Sequence, residues 1–303
     1  MKDIIFIKTA HQVTYKEEMI RLKNAKTGVT EFLSPDEISV LIIENQYATI
    51  QSLAISKLLE ANVMVLICDY KHQPTALVAN DFGYVRKMSV LKLQIGLSKK
   101  TKGRLWQKII RQKIENQKDI LLFFKPEVPS YTFVEFESWI KEVTEGDTRA
   151  REAVAARRYF PLCFGKDFIR GRYPDKINAS LNYGYAMMRG VIRKHLVAHG
   201  FELAIGIRHM SGENPFNLSD DVIEVYRPFI DAFVLQHISG NGKNEFCEQD
   251  RIKLIEEVLL VKCVIDSKVF TLYDAVGITV ESLKRCYENN SSSGLKLPKM
   301  IEP

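Results

Sequence analysis

Hydrophobic residues in the N-terminal quarter of the chain fall in short β-branched runs. DIIFIK, QVTYK, MIRLKN and ISVLIIEN are separated by polar turns, and this pattern predicts strands. ATIQSLAISKLLEAN has helical spacing, while VMVLICD is a continuous apolar run expected as a strand buried on both faces. YKHQPTALVAN turns through Pro74 and supplies one more strand. The period then changes. In KMSVLKLQIGLSKKTKGRLWQKIIRQKIENQKDILLFF, Leu105, Ile109, Ile110 and Ile114 line one side of an amphipathic helix, with Lys and Arg on the others. Two prolines in FKPEVPSYTF end it. Helical spacing dominates at 135–160, 179–200, 221–238 and 248–265. The polar tail ENNSSSGLKLPKMIEP is expected to be flexible or to dock onto a partner. The predicted class is α+β: a small β-rich N-terminal domain (1–85), a linker (86–100), a larger all-α domain (101–288) and a C-terminal tail (289–303).

Composition narrows the class without changing that layout. Of 303 residues, 46% are hydrophobic and 26% charged, as in a globular protein with a substantial core. No apolar run approaches the ~20 residues that span a bilayer, so no membrane association is expected. MKDIIFIKTA lacks the apolar core of a signal peptide and reads as a first strand. The five cysteines include no CxxC pair, so neither a zinc knuckle nor a redox dithiol is indicated. Reduced thiols in a cytoplasmic protein are the expectation. The net charge of +6 favours a polyanionic partner.

Two stretches carry candidate chemistry. In REAVAARRYF, Glu152, Ala155, Ala156 and Tyr159 share one helix face. Glu152 is either a surface acid paired with a nearby arginine or a carboxylate aimed into a site. In GIRHMSGENPFNLSDDVIEVYRPFID, His209 precedes a polar loop that feeds a helix opened by Ser219, Asp220 and Asp221. Those acids can act as helix caps or, with Glu152, supply two carboxylates and one imidazole. Such a donor set suits Mg²⁺ or Mn²⁺. Arg149, Arg151, Arg157, Arg158, Lys166, Arg170, Arg172 and Lys176 surround the first stretch with few offsetting acids. A metal carboxylate within a cationic surface is what phosphodiester chemistry requires. Asn178 and Asn182 share a helix face and are expected to hydrogen-bond internally or to support the ligands from behind. The basic run 99–118 reads as a solvated helix face, with DNA contact as the alternative. GNGK at 240–243 lacks the features of a P-loop.

EAVAARRYF, KINASLNYGYAMMRGVI and HMSGENPFNLSDDVIEVYRPFID together resemble the CRISPR-associated integrase that inserts new spacers into a repeat array, the first of the Cas proteins. VLICDYKHQP is similar to the β-domain segment of its type II members. The resemblance places the family's metal-binding, catalytic glutamate at Glu152, its histidine at His209 and its aspartate at Asp221, six residues before Arg227-Pro228. Asp220 could share the aspartate's role, and Tyr159, Asn178 and Asn182 would support the site. It implies an α-helical catalytic domain, a homodimer joined through the β-rich domain, and a Mg²⁺ or Mn²⁺ cofactor. It also implies a heterohexameric complex with the small second Cas protein on double-stranded DNA. The implied reaction joins the 3′-hydroxyl ends of short duplexes into the array by transesterification. A structure-selective metal nuclease and a non-catalytic DNA-binding scaffold are the alternatives.

Overall fold

The computed structural model describes residues 3–70, 72, 74–78, 87–171, 173, 175–240 and 245–302. The chain divides into two compact units, Met1–Val85 and Arg86–Pro303. The first holds β1 (Asp3–Ile7), β2 (His11–Lys16), β3 (Met19–Asn24), β4 (Thr30–Leu33), β5 (Ile38–Ile43), β6 (Thr49–Ile50), helix α1 (Ser52–Glu60), β7 (Met64–Cys68) and β8 (Pro74–Val78). One sheet has the order β1-β5-β7-β8, and its first three strands are parallel. A second has the order β4-β3-β2-β6, mostly antiparallel. Every residue of β5, Ser39 included, is buried, as expected for a central parallel strand, whereas in β7, the run expected to be buried on both faces, Ile67 is exposed. Ala54 and Leu58, one turn apart on α1, join Val13, Ile20 and Leu41 in the core. Each fully buried leucine there contributes roughly 1.5–3 kcal/mol. The short strands β4 and β6 have no counterpart in the predicted set.

The second unit contains α2 (Lys87–Gly96), α3 (Lys99–Phe124), α4 (Ser130–Glu142), α5 (Arg151–Phe164), α6 (Lys176–Ala198), α7 (Asn217–Val222), α8 (Arg227–His237), α9 (Glu248–Glu257), β9 (Lys262–Ile265), β10 (Lys268–Thr271) and α10 (Leu272–Glu288). Helix α3, about 39 Å long, is its axis and packs against α4, α5 and α8. Residues that face these neighbours, including Leu105, Ile110, Lys113, Asn116 and Ile120, are buried.

Four expectations are corrected here. The 86–100 linker is largely helical: α2 buries Val90 and Gln94, and Ser98 caps α3 by accepting the N–H of Thr101. The unit is not all-α, because 262–265 leaves the helical path and pairs with β10 in a hairpin. Asp266 and Ser267 turn it, both at positive φ, and β-branched residues flank the turn. The basic run 99–118 is not a uniformly solvated face, since Lys113 lies inside the unit. The tail is docked rather than free. Lys299 bridges to Val264, and the Asn116 side chain donates to the Pro298 carbonyl and accepts the Met300 N–H. Residues 79–86, part of the expected join, Arg172, and 241–243 of the GNGK stretch lie outside the described residues. Among the described residues, no helix is long and apolar enough to cross a membrane.

Candidate active site

Three elements deliver charged side chains to one place. A left-handed Gly146, Asp147 and Ala150 separate α4 from α5. Through that turn the Asp147 carboxylate accepts the N–H groups of Arg151 (2.9 Å) and Glu152 (3.1 Å). Asp147 thereby caps α5 and fixes where Glu152 starts. From α3, the Lys113 ammonium reaches Glu152 Oε1 at 2.6 Å and Glu224 Oε2 at 2.5 Å. Glu224 lies in the 3₁₀ turn between α7 and α8, and its other oxygen is 2.9 Å from the Arg227 guanidinium. Removing one member of such a buried pair commonly costs about 3–5 kcal/mol. Burial pulls the Lys113 pKa down, but the Glu224 and Glu152 carboxylates outweigh it and hold the ammonium charged. Burial also pushes Glu224 up, and Lys113 and Arg227 outweigh that, so it is ionised.

Next to this cluster, the 206–209 loop wraps around Asp221. The carboxylate is fully buried. One oxygen accepts the backbone N–H groups of Ile207 (2.5 Å) and Arg208 (3.1 Å). The other accepts the His209 N–H (3.0 Å) and faces His209 Nδ1 at 2.7 Å. Four donors fill the acceptor positions of a carboxylate. Gly206 is required for this closeness: a Cβ there would lie 2.2 Å from the His209 carbonyl and 2.7 Å from Asp221 Oδ2. With Nδ1–H donated to Asp221, His209 presents Nε2 as its lone-pair nitrogen. Its ring packs edge-on to Trp106, and its side chain is 47% exposed. The Asp221 hydrogen bond raises the His209 pKa above its ordinary value, against a smaller opposing effect of burial.

The predicted site residues divide accordingly. Glu152 belongs to the cluster, and His209 stands near enough to Glu224 for their charges to interact. Asp221 is saturated by the loop and orients His209. The acid facing Glu152 is Glu224, which stands three residues later on the same side of the turn. Asp220 points elsewhere, between Arg189 (3.4 Å) and Asn214 (2.8 Å). Ser219 is no cap, because it sits inside α7 and donates to the Phe216 carbonyl. Tyr159 is a fully buried core residue. Asn178 and Asn182 bind Arg170 and the 169–171 backbone. The guanidinium carbons of Arg170 and Arg227 lie 5.0 and 4.9 Å from the Tyr185 ring centroid, so the ring joins the asparagine-bound Arg170 to the Arg227 that pairs with Glu224.

Of the cations expected on DNA, Arg170 is half-buried and donates to Asn178, Asn182 and the Gly171 carbonyl. Arg151 is paired with Glu142 (2.7 Å) and Arg158 with Glu135 (3.4 Å). Lys176 is buried beside Asp250. Arg149, Arg157 and Lys166 are exposed.

Among the described residues, no three His, Cys, Asp or Glu side chains stand together as a ready metal cage. The donor chemistry nevertheless fits one. Glu152, Glu224 and His209 Nε2 offer two carboxylates and an imidazole, and the carboxylates already share a cation, the Lys113 ammonium, that stands in for a metal charge.

The family described as CRISPR associated protein Cas1 matches residues 5–260. A CRISPR-associated endonuclease Cas1 of Neisseria meningitidis serogroup C (strain 8013) is 34% identical over 278 residues, 91% of this chain and 90% of that protein. A casposase bound to its integration product shares the fold with a TM-score of 0.80 at 19% identity, covering 96% of this chain and 92% of its own. A chain of a Cas6-RT-Cas1–Cas2 complex matches at a TM-score of 0.74 and 19% identity, over 99% of this chain and 36% of that one.

Proposed function

Since this chain belongs to the CRISPR-associated Cas1 family, we propose that it is a metal-dependent integrase that joins 3′-hydroxyl ends of short duplex DNA into a repeat array. The observation that carries this reading is the pair of buried Glu224 and half-buried Glu152, which share one cation, with His209 close enough to Glu224 for their charges to interact. We assign the Mg²⁺ or Mn²⁺ ligands as Glu152, Glu224 and His209, in place of the Glu152, His209 and Asp221 set expected from sequence. A bound divalent ion supplies Lewis acidity to a phosphoryl oxygen and offsets the charge that develops there. The chain's own residues do the rest. Asp221 holds His209 in the tautomer that leaves Nε2 available, and Arg227 holds the second oxygen of Glu224. Exposed Arg149, Arg157 and Lys166 contribute backbone phosphate contacts.

In the reaction, the 3′-oxygen of the incoming strand forms a bond to the border phosphorus. The array's own 3′-oxygen leaves and takes up a proton. The relatives named endonucleases point to water as a competing nucleophile at the same site. A homodimer working with the small second Cas protein completes the reading, by analogy with the Cas1–Cas2 complex whose chain shares this fold.

The test incubates the protein, with and without that partner, with a 3′-hydroxyl duplex and a supercoiled repeat-bearing plasmid. Joining is expected in Mg²⁺ or Mn²⁺ and lost in EDTA, in Glu152→Ala, and with a blocked 3′ end. Nicking by water should survive the blocked end. Joining by a well-folded Glu152→Ala protein overturns the proposal.

A further inference from the structure

Lys113 is absent from the ligand set, yet it is the most deeply placed cation in the site. Its side chain is 7% exposed, and lysine is almost never buried unless paired. Both of its partners are carboxylates that the reading above gives to the metal. With Arg227 included, two positive and two negative charges balance locally. A divalent ion added to that arrangement would leave it with excess positive charge, on carboxylate oxygens already engaged by an ammonium. Taking the ammonium away leaves a net negative cavity that suits a divalent ion. The same ammonium keeps buried Glu224 and half-buried Glu152 from repelling each other when no metal is present. A lysine can make this exchange because its point charge rides on a flexible four-carbon stem. Glu152, 30% exposed, marks the side on which the cluster meets solvent.

We propose that Lys113 is a positioning residue that holds Glu152 and Glu224 face to face until a divalent cation arrives, and that yields both carboxylates to it. The inference rests on the metal reading of the site, and its test separates the two.

Wild-type protein is pulsed with an acetylating reagent in EDTA or in Mn²⁺, and the Lys113 peptide is quantified by mass spectrometry. Lys113 should be protected in EDTA and modified several-fold faster in Mn²⁺. Equal protection in both overturns the inference. In Lys113→Met, free-Mn²⁺ electron paramagnetic resonance should show binding at least ~10-fold tighter than wild type, since a unit charge is removed at contact distance. Its melting temperature in EDTA should be lower, and Mn²⁺ should restore more of it than in wild type. Unchanged or weaker Mn²⁺ binding overturns the inference as well. If Lys113→Met does not fold, the wild-type labelling decides alone. Absence of Mn²⁺ binding in wild type defeats the metal reading and this inference together. Binding that is lost in Glu224→Gln, with Lys113 labelling unaffected by Mn²⁺, defeats the inference only.

Discussion

Asp221 and Glu224 are buried acids one helical turn apart, and they are satisfied in opposite ways. Asp221 takes its donors from a loop: three backbone N–H groups and the His209 ring. Those bonds are part of the fold, and releasing them would unwrap residues 206–209. Glu224 takes its donors from side chains, Lys113 and Arg227. Side-chain partners can move without disturbing the backbone. A carboxylate saturated by main chain is a structural anchor, whereas one balanced by a flexible cation can exchange that cation for a ligand. Burial alone does not tell the two apart.

Substitution at each acid is the direct way to break this contrast. Glu224→Gln removes a proposed metal ligand, and a metal is worth several kcal/mol of transition-state stabilisation. At 1.4 kcal/mol per tenfold, joining should fall about 10³-fold in plasmid-integration assays while the protein remains folded. Asp221→Asn keeps a side-chain oxygen for the loop but weakens the orientation of His209. Partners of this kind are typically worth about 10–100-fold in metal affinity or activity. If Asp221→Asn costs more than Glu224→Gln in folded protein, the assignment of ligand and anchor is reversed.

Acidity sharpens the same contrast. Asp221 raises the His209 pKa above 6.5, and only neutral imidazole binds a metal. Mn²⁺ affinity should therefore decline as pH falls through the raised value. In Asp221→Asn the plateau should be lower and the decline should begin at lower pH, as titrations read by electron paramagnetic resonance would show. For folding the sign is opposite. The Asp221–His209 bond stabilises the folded chain fully below pH 6.5, and that contribution is lost as pH rises through the folded value.

Periodicity alone reveals most of the helices and the central strands, because those residues form structure through local spacing and burial. It also places Glu152 on a face with small residues, and His209 beside the loop it serves. Which acid is held by main chain and which by side-chain cations is not legible. Asp221 and Glu224 occupy equivalent positions at i and i+3, and the donors that distinguish them come from residues 12–14 positions upstream and from another helix. Lys113 is hidden for a related reason. It sits in a run of lysines and arginines, and only the tertiary packing of α3 turns it inward. That Asn178 and Asn182 accept hydrogen bonds from Arg170 is likewise a matter of tertiary packing. The 262–265 strand was within reach, since VIDSKVF places a two-residue turn between β-branched residues.

Asp147 gives the contrast its finest test. Like Asp221, it is a buried acid held by backbone N–H groups, those of Arg151 and Glu152, and so belongs with the anchors. Unlike Asp221, it touches no ring that would bind metal, and it acts on Glu152 only by fixing the first turn of α5. Asp147→Ala should therefore cost about 1 kcal/mol of stability, the usual worth of a helix cap, seen as a lower denaturant midpoint. Joining should fall only severalfold, because Glu152 keeps its own bond to Lys113. Asp147→Asn retains one accepting oxygen for one of the two N–H groups and should recover only part of both losses. A loss of joining as large as that of Glu224→Gln, in a protein that is still folded, would mean that Asp147 reaches the reacting groups themselves and that main-chain saturation does not mark an anchor.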